Sequence, residues 1–130
     1  MVNNFIPYSR QNIDEDDIKE VNLVLKSDWL TQGPKVRDFE KYITEYFNSK
    51  FSITTNSATS ALHIACLALG LSENDILWTS PITFVASANC GLYCNAKVDF
   101  VDINPDAFCI DSFQLEKKLI HHRINNLQLP

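Results

Sequence analysis

Basic residues are in short supply. The 130-residue chain carries 11 Lys+Arg against 16 Asp+Glu, a formal net charge of −5, with no basic tract. Binding to nucleic acid is dominated by phosphate neutralisation, so a nucleic-acid partner has little here to hold. Long apolar runs are missing too. No stretch approaches the roughly 20 residues that cross a bilayer. The opening Met-Val-Asn-Asn-Phe-Ile-Pro-Tyr lacks the basic region and apolar run of a secretion signal. The four cysteines, Cys66, Cys90, Cys94 and Cys109, form no Cys-x-x-Cys. Zinc would need further partners at fitting spacings, which His63, His121 and His122 do not supply. Buried thiols in a reducing compartment account for them better. With 45% hydrophobic residues and neither repeat nor low-complexity segment, the composition suits a soluble cytoplasmic protein with one core and no membrane partner.

What is present alternates between helix and strand. Residues 1–12 form a polar, extended arm carrying Pro7 and Tyr8. Asp14-Glu15-Asp16-Asp17 puts acids in a first helical turn, where they complement the dipole, and Ile18, Val21, Val24 and Leu25 follow at helical spacing. This helix should end near Ser27, before the loop Asp28-Trp29-Leu30-Thr31-Gln32-Gly33. Pro34 suits the first turn of a second helix with Val36, Phe39, Ile43 and Phe47 on one face. Residues 51–54 read as a first strand, 76–78 as a second and 97–102 as a third. Asp111-Ser112-Phe113-Gln114 resembles a capping box opening a helix through Leu119.

Two strand-to-helix junctions carry the functional signal. In the first, small and hydroxyl residues around Ser57 and Thr59 precede an Ala/Leu-rich helix ending at Gly70. Free backbone N–H groups, two hydroxyls and the positive end of a helix dipole converge there, which suits a phosphate. A plain N-cap explains the same residues. In the second, Thr79-Ser80-Pro81-Ile82-Thr83 turns from a strand into a helix opened by Phe84-Val85-Ala86. In an open α/β sheet both turns leave the carboxyl ends of strands, on the ligand-binding face. Phe84 can lie over a flat ring there or be an ordinary core residue.

Three segments in order, Asn56-Ser57-Ala58-Thr59-Ser60-Ala61-Leu62, Thr79-Ser80-Pro81-Ile82-Thr83-Phe84-Val85-Ala86 and Val98-Asp99-Phe100-Val101-Asp102-Ile103, resemble those of the DegT/StrS-type sugar aminotransferases. With the loop Leu30-Thr31-Gln32-Gly33, the likeness is greatest to the branch serving pseudaminic acid synthesis, and it runs from about Tyr8 to Leu119. The resemblance implies an α/β fold: the N-terminal part of the large domain of fold type I pyridoxal-phosphate (PLP) enzymes, an incomplete, mostly parallel sheet with flanking helices over residues 13–120. It implies PLP as cofactor, a nucleotide-linked keto-sugar as substrate, an amino donor that is usually glutamate, and a homodimer. Residue by residue, Ser57, Ala58 and Thr59 would hold the cofactor phosphate and Phe84 would stack on its ring. Many relatives have Gly where this chain has Ala58, which permits the turn only at negative φ. Tyr8, Asp28, Trp29, Leu30 and Thr31 match positions lining the nucleotide-sugar pocket. From pattern alone, Trp29 and Leu30 serve equally as a hydrophobic plug at a helix end, and His63 suits a core or interface.

The resemblance also implies what this chain does not hold. Transamination uses a lysine that carries the cofactor and an acid beside its pyridine nitrogen. In the family both lie beyond the stretch matched here, and none of Lys19, Lys26, Lys35, Lys41, Lys50, Lys97, Lys117 and Lys118 falls at the lysine position. Residues 121–130 read as an aberrant or truncated tail, so the chain alone is expected to be inactive. The strands that flank the first strand in the family come later in its sequence. Strand 51–54 is therefore expected to lack a neighbour while the second and third strands pair, leaving a poorly soluble or molten product. Two alternatives stand beside this reading: a small phosphate- or nucleotide-binding α/β module, which would need one contiguous sheet, or a non-catalytic partner of a full-length aminotransferase.

Overall fold

Gly91 lets a helix lie close on two strands. A Cβ placed there would sit 3.1 Å from Leu77 Cβ and 3.1 Å from Val98 Cγ2. Those two side chains belong to the strands β1 (Ile76–Thr79) and β2 (Lys97–Phe100), and Gly91 belongs to the helix between them, α4 (Ala86–Tyr93). The glycine lets α4 lie directly on a parallel ladder in register Ile76↔Lys97 to Thr79↔Phe100. The structure is a computed structural model that describes residues 5–130. It divides into two units, Met1–Ile53 and Thr54–Pro130.

The first unit holds α1 (Glu15–Leu25) and α2 (Pro34–Tyr46). Asp14 caps α1 with a complete capping box: its Oδ1 accepts from the N–H groups of Asp16 and Asp17 at 3.0 and 3.1 Å, and its own N–H donates to Asp17 Oδ2 at 3.1 Å. Pro34 opens α2 as expected, with Gly33 at the N-cap. An exposed ion pair between Lys35 and Glu20, at 2.7 Å, ties the two helices. Neither helix has a buried residue. The apolar faces legible in the sequence are formed, but Ile18, Val21, Leu25, Val36 and Phe39 remain exposed.

The second unit adds α3 (Ala58–Ala68) and α5 (Ser112–Ile124) to the β1–α4–β2 core. α3 lies against α4, where Cys66, Cys90 and Cys94 form a buried cluster with Leu71 and Leu77 around it. The three thiols are free and buried, as expected, while Cys109 is exposed. Burial pushes the Cys66 thiol up to about 11, with a hydrogen bond from the Cys66 S–H to Cys90 acting in the same direction, so it stays protonated and inert at neutral pH. Among the described residues no group of His, Cys, Asp or Glu can hold a metal. No helix among them is long and apolar enough to cross a membrane.

Several expectations need correction. Residues 51–54 form no strand: among the described residues the only ladder is β1 with β2. A lone strand has no partner for its backbone groups, so the segment stays irregular, as the missing neighbours predict. The third strand stops at Phe100 rather than Asp102, although the Val101 N–H still reaches the Thr79 carbonyl at 2.9 Å. Phe84 and Val85 precede α4 instead of opening it. The Asp111 motif is half a capping box: its Oδ1 accepts from Phe113 and Gln114 N–H, but its own N–H goes to the Asp102 carbonyl at 2.9 Å.

The helix begun there does not end at Leu119. It runs to Ile124 and closes with Asn126 in the left-handed region (φ 52°), the Leu127 N–H reaching the His122 carbonyl at 2.8 Å. That is a Schellman cap. Asn48 after α2, Gly70 after α3 and Asn95 after α4 end their helices in the same way. Within residues 121–130, His122 Nδ1–H donates to the Gln128 carbonyl at 2.7 Å, and the Gln128 amide donates to the Asn74 carbonyl.

α5 is fastened to β2 by Lys118, whose side chain is only 22% exposed. Its ammonium meets Asp99 Oδ2 at 2.6 Å, donates to the Phe100 carbonyl at 2.8 Å and lies 4.7 Å from the centre of the Trp78 ring. The hydrogen bond from Lys118 holds the Asp99 carboxyl below its ordinary value of 3.8. A depressed carboxyl contributes stability above its unfolded value and loses it as the pH falls through the folded one.

Two expected outcomes follow. An NMR titration of the Asp99 carboxyl gives a midpoint below 3.8, and Lys118→Met moves it back upward; an unmoved midpoint excludes the ion pair in solution. The exposed apolar surface of both units should make the 130-residue polypeptide bind the dye ANS strongly under native conditions and melt without a sharp transition. A dye-silent, two-state monomer contradicts this.

Candidate functional site

The turn 54–59 is built by its own hydroxyls. Thr55 Oγ1 donates to the Ser57 carbonyl at 2.8 Å, and Ser60 Oγ donates to Asn56 Oδ1 at 2.8 Å. Ser57 is the N-cap of α3, its Oγ accepting from the Ser60 N–H at 3.2 Å. The capping explanation is therefore realised, and it leaves the phosphate explanation intact. An N-cap side chain satisfies one of four orphan donors, and the Ala58 and Thr59 N–H groups keep no partner among the described residues. Ala58 is not among the residues with positive φ, so the substitution for Gly costs no backbone strain. The Thr59 side chain is half-buried, and Ser57 and Ala58 are exposed.

Phe84 lies in the turn between β1 and α4 with 73% of its surface open. It is not a core residue, which disposes of one of its two readings. The turn leaves the carboxyl end of β1, and because β2 runs parallel the carboxyl ends of both strands lie at one edge. His63 contacts Tyr93, with ring centres 5.2 Å apart, and is half-buried between α3 and α4 as a structural residue.

The loop residues divide. Trp29 borders two cavities. One, about 240 Å³, is apolar and includes Leu23, Val24, Leu30 and Val36, although Leu30 itself is largely exposed. The other, about 350 Å³, is lined by Trp29, Gln32, Gly33, Pro34, Arg37 and Asp38. Tyr8 is fully exposed, and neither cavity is bordered by Tyr8, Asp28 or Thr31. Arg37 and Asp38, on α2 one turn past the loop, border this second cavity although the sequence pattern of α2 shows only its apolar face.

A parallel β1–α4–β2 unit with a hydroxyl-rich turn at the start of a preceding helix is an α/β arrangement shared by many ligand-binding folds, and comparison with known proteins narrows it. The profile of the DegT/DnrJ/EryC1/StrS aminotransferase family matches residues 11–124, and the chain belongs to that family. It is 48% identical over 115 residues to the UDP-4-amino-4,6-dideoxy-N-acetyl-beta-L-altrosamine transaminase of Campylobacter jejuni, covering 88% of this chain and 30% of that protein. Among solved structures, Helicobacter pylori PseC, an aminotransferase of pseudaminic acid biosynthesis, superposes with a TM-score of 0.77 at 38% identity, over 85% of this chain and 28–30% of such relatives' length. A sugar aminotransferase from Streptococcus pneumoniae, solved in apo, PLP and PMP forms, gives a TM-score of 0.80 at 33% identity, over 86% of this chain. The chain thus spans about 30% of the length of the curated relatives it matches. Its fold is the N-terminal part of the type I large domain.

Replacing Ser57 with Ala should loosen the first turn of α3 by about 1 kcal/mol. Amide exchange at Ser60 is then about fivefold faster, while exchange in β2 stays unchanged. Equal protection at Ser60 in both proteins would show that the cap is not formed.

Proposed function

We propose that this chain is part of a PLP-dependent aminotransferase that transfers an amino group, from glutamate, to a UDP-linked 4-keto-6-deoxy sugar in pseudaminic acid synthesis. The observation that carries it is the turn at Ser57, where the Ala58 and Thr59 N–H groups are left without partners. Donors so placed fit a dianionic phosphate at a helix start, and the Thr59 hydroxyl adds a third. The exposed Phe84 supplies an aromatic face for the pyridine ring. When bound, the cofactor supplies the electron sink through which the amino group passes. This chain's own residues hold its phosphate and cover its ring. The nucleotide sugar is held by the Asp28–Thr31 loop and Tyr8, and the working enzyme is a cytoplasmic homodimer.

No lysine here supports covalent attachment. Lys35, Lys41 and Lys118 are engaged with Glu20, Glu45 and Asp99. The others match no position at which the family holds its cofactor. A polypeptide of these 130 residues is therefore catalytically silent by itself. The small-module alternative loses support, because the ladder among the described residues has two strands and excludes 51–54. The partner alternative draws support from exposed Leu62, Ile64 and Leu67 on α3, a face suited to packing on another aminotransferase chain.

Incubated with PLP and glutamate, the purified polypeptide should bind cofactor without the visible absorption band of lysine attachment, and should aminate no UDP-keto-sugar. Thr59→Val should weaken PLP binding about tenfold, read by 31P NMR, and leave binding of unphosphorylated pyridoxal unchanged. Turnover above a protein-free blank refutes the silence of the chain. Equal PLP binding by Thr59→Val refutes the phosphate site.

A further inference from the structure

A cavity of about 320 Å³ lies where the end of β2 meets α5, lined by Phe100, Asp102, Gln114, Lys117, Lys118 and His121. None of these residues belongs to the turn 54–59 or to the loop 28–31. Gln114, Lys117, Lys118 and His121 fall at i, i+3, i+4 and i+7, so they form one stripe of α5. Lys118 is the fixed wall, its charge already answered by Asp99 at 2.6 Å. The other polar groups are unanswered. Lys117 and the Gln114 side-chain amide have no partner among the described residues. Asp102 Oδ1 accepts from the Ile103 N–H at 2.8 Å, which leaves Oδ2 open. Asn125 sets the His121 ring: its amide nitrogen donates to the His121 carbonyl at 2.8 Å and lies 3.3 Å from His121 Nδ1. An amide nitrogen only donates, so Nδ1 accepts and the hydrogen of the neutral ring sits on Nε2.

One free ammonium, one free carboxylate oxygen, two neutral donors and the half-exposed Phe100 ring make a charge-balanced set. A dianion such as a phosphomonoester would meet a single free cation and be opposed by Asp102. A zwitterion answers both charges. We propose that this cavity binds a free α-amino acid with an apolar side chain. Lys117, Gln114 and His121 Nε2–H hold its carboxylate, Asp102 Oδ2 accepts from its ammonium, and the side chain lies on Phe100. The volume falls at the lower end of ligand cavities, roughly 300–1,000 Å³, which suits so small a ligand. The two walls keep their spacing because Lys118 fastens α5 to β2 through Asp99 and the Phe100 carbonyl. The site is independent of the aminotransferase reading, since it needs only α5 and the end of β2.

The test is equilibrium dialysis of the 130-residue chain against L-phenylalanine, N-acetyl-L-phenylalanine, L-phenylalaninamide and phenyl phosphate. Phenylalanine should bind saturably, and removing either charge from the ligand should weaken binding about tenfold. Asp102→Asn keeps an acceptor for the Ile103 N–H and removes only the charge. It should weaken phenylalanine about tenfold and leave the N-acetyl compound unchanged, because that ligand has no ammonium to lose. Lys117→Gln should likewise weaken phenylalanine and leave the amide unchanged, and Lys117→Arg should recover part of the loss. Circular dichroism checks that each variant keeps its helices. Should a variant lose them, the four ligands on the unaltered chain decide alone. Equal binding of phenylalanine and its two blocked forms marks a merely apolar patch and overturns the proposal. So does tighter binding of phenyl phosphate, indifference to both Asp102→Asn and Lys117→Gln, or no saturable phenylalanine binding by a helical chain.

Discussion

Everything ordered in the second unit depends on one close approach, α4 resting on β1 and β2 through the bare Cα of Gly91. A methyl group there would press on Leu77 and Val98, and overpacking of that kind costs about 1–3 kcal/mol. Because the helix sits so low, Cys90 and Cys94 reach the level at which α3 presents Cys66, and small thiols can close the layer without a large side chain. The resulting core is thin. Its buried hydrophobic residues are Cys66, Ala86, Cys90, Cys94, Ala96 and Val101, none of them large. At about 25 cal/mol per Å² of apolar area, residues this small contribute little against the entropy of ordering the chain.

Local interactions therefore carry more of the architecture than is usual. The capping box of Asp14, the Ser57 and Asp111 caps and the four Schellman closures fix where helices start and stop without reference to any core. Single caps are worth about 1 kcal/mol, enough to bias a helix but not to hold it against its neighbours. Lys118 supplies one of the few long-range polar ties, joining α5 to Asp99, Phe100 and Trp78. The first unit lacks even that: its inter-helix ion pair is exposed, and exposed pairs contribute little. Amphipathic helices whose apolar faces stay open are what a sequence patterned for a larger core produces when only part of that core is present.

The sequence made the helix starts legible because N-cap chemistry is short-range: Asp14, Pro34, Ser57 and Asp111 each act on backbone within four residues. Helix ends were legible near Ser27 and at Gly70. Asn48, Asn95 and Asn126 do the same work in the left-handed region, but asparagine is common enough in loops that it was not read as a stop. This is why α5 was expected to be five residues too short. The strand at 51–54 failed for a different reason. Its β-branched character is real, but a strand is a relation between two segments, and pattern reports only one of them. At the candidate site, the helix start at Ser57, Ala58 and Thr59 was legible because a helix start is local. Arg37 and Asp38 were not, because the cavity they share with Trp29 arises from the path of the loop into α2.

The cofactor cradle proposed at the start of α3 would persist on a thin scaffold. The Ala58 and Thr59 N–H groups are aimed by the first turn of α3, and that turn is fixed by Ser57, Ser60, Asn56 and Thr55 through bonds spanning at most four residues. Such geometry survives wherever α3 is helical, and α3 needs only α4 beside it. The ring coverage proposed for Phe84 is more demanding, since that side chain sits in a turn set by the end of β1 and the start of α4. Phosphate recognition should thus be the most robust part of the site and ring stacking the more fragile. The chemistry itself, which requires a lysine held at one point in a complete sheet, is the step most dependent on long-range order. In this family the order in which function can be built follows the range of the interactions that build it.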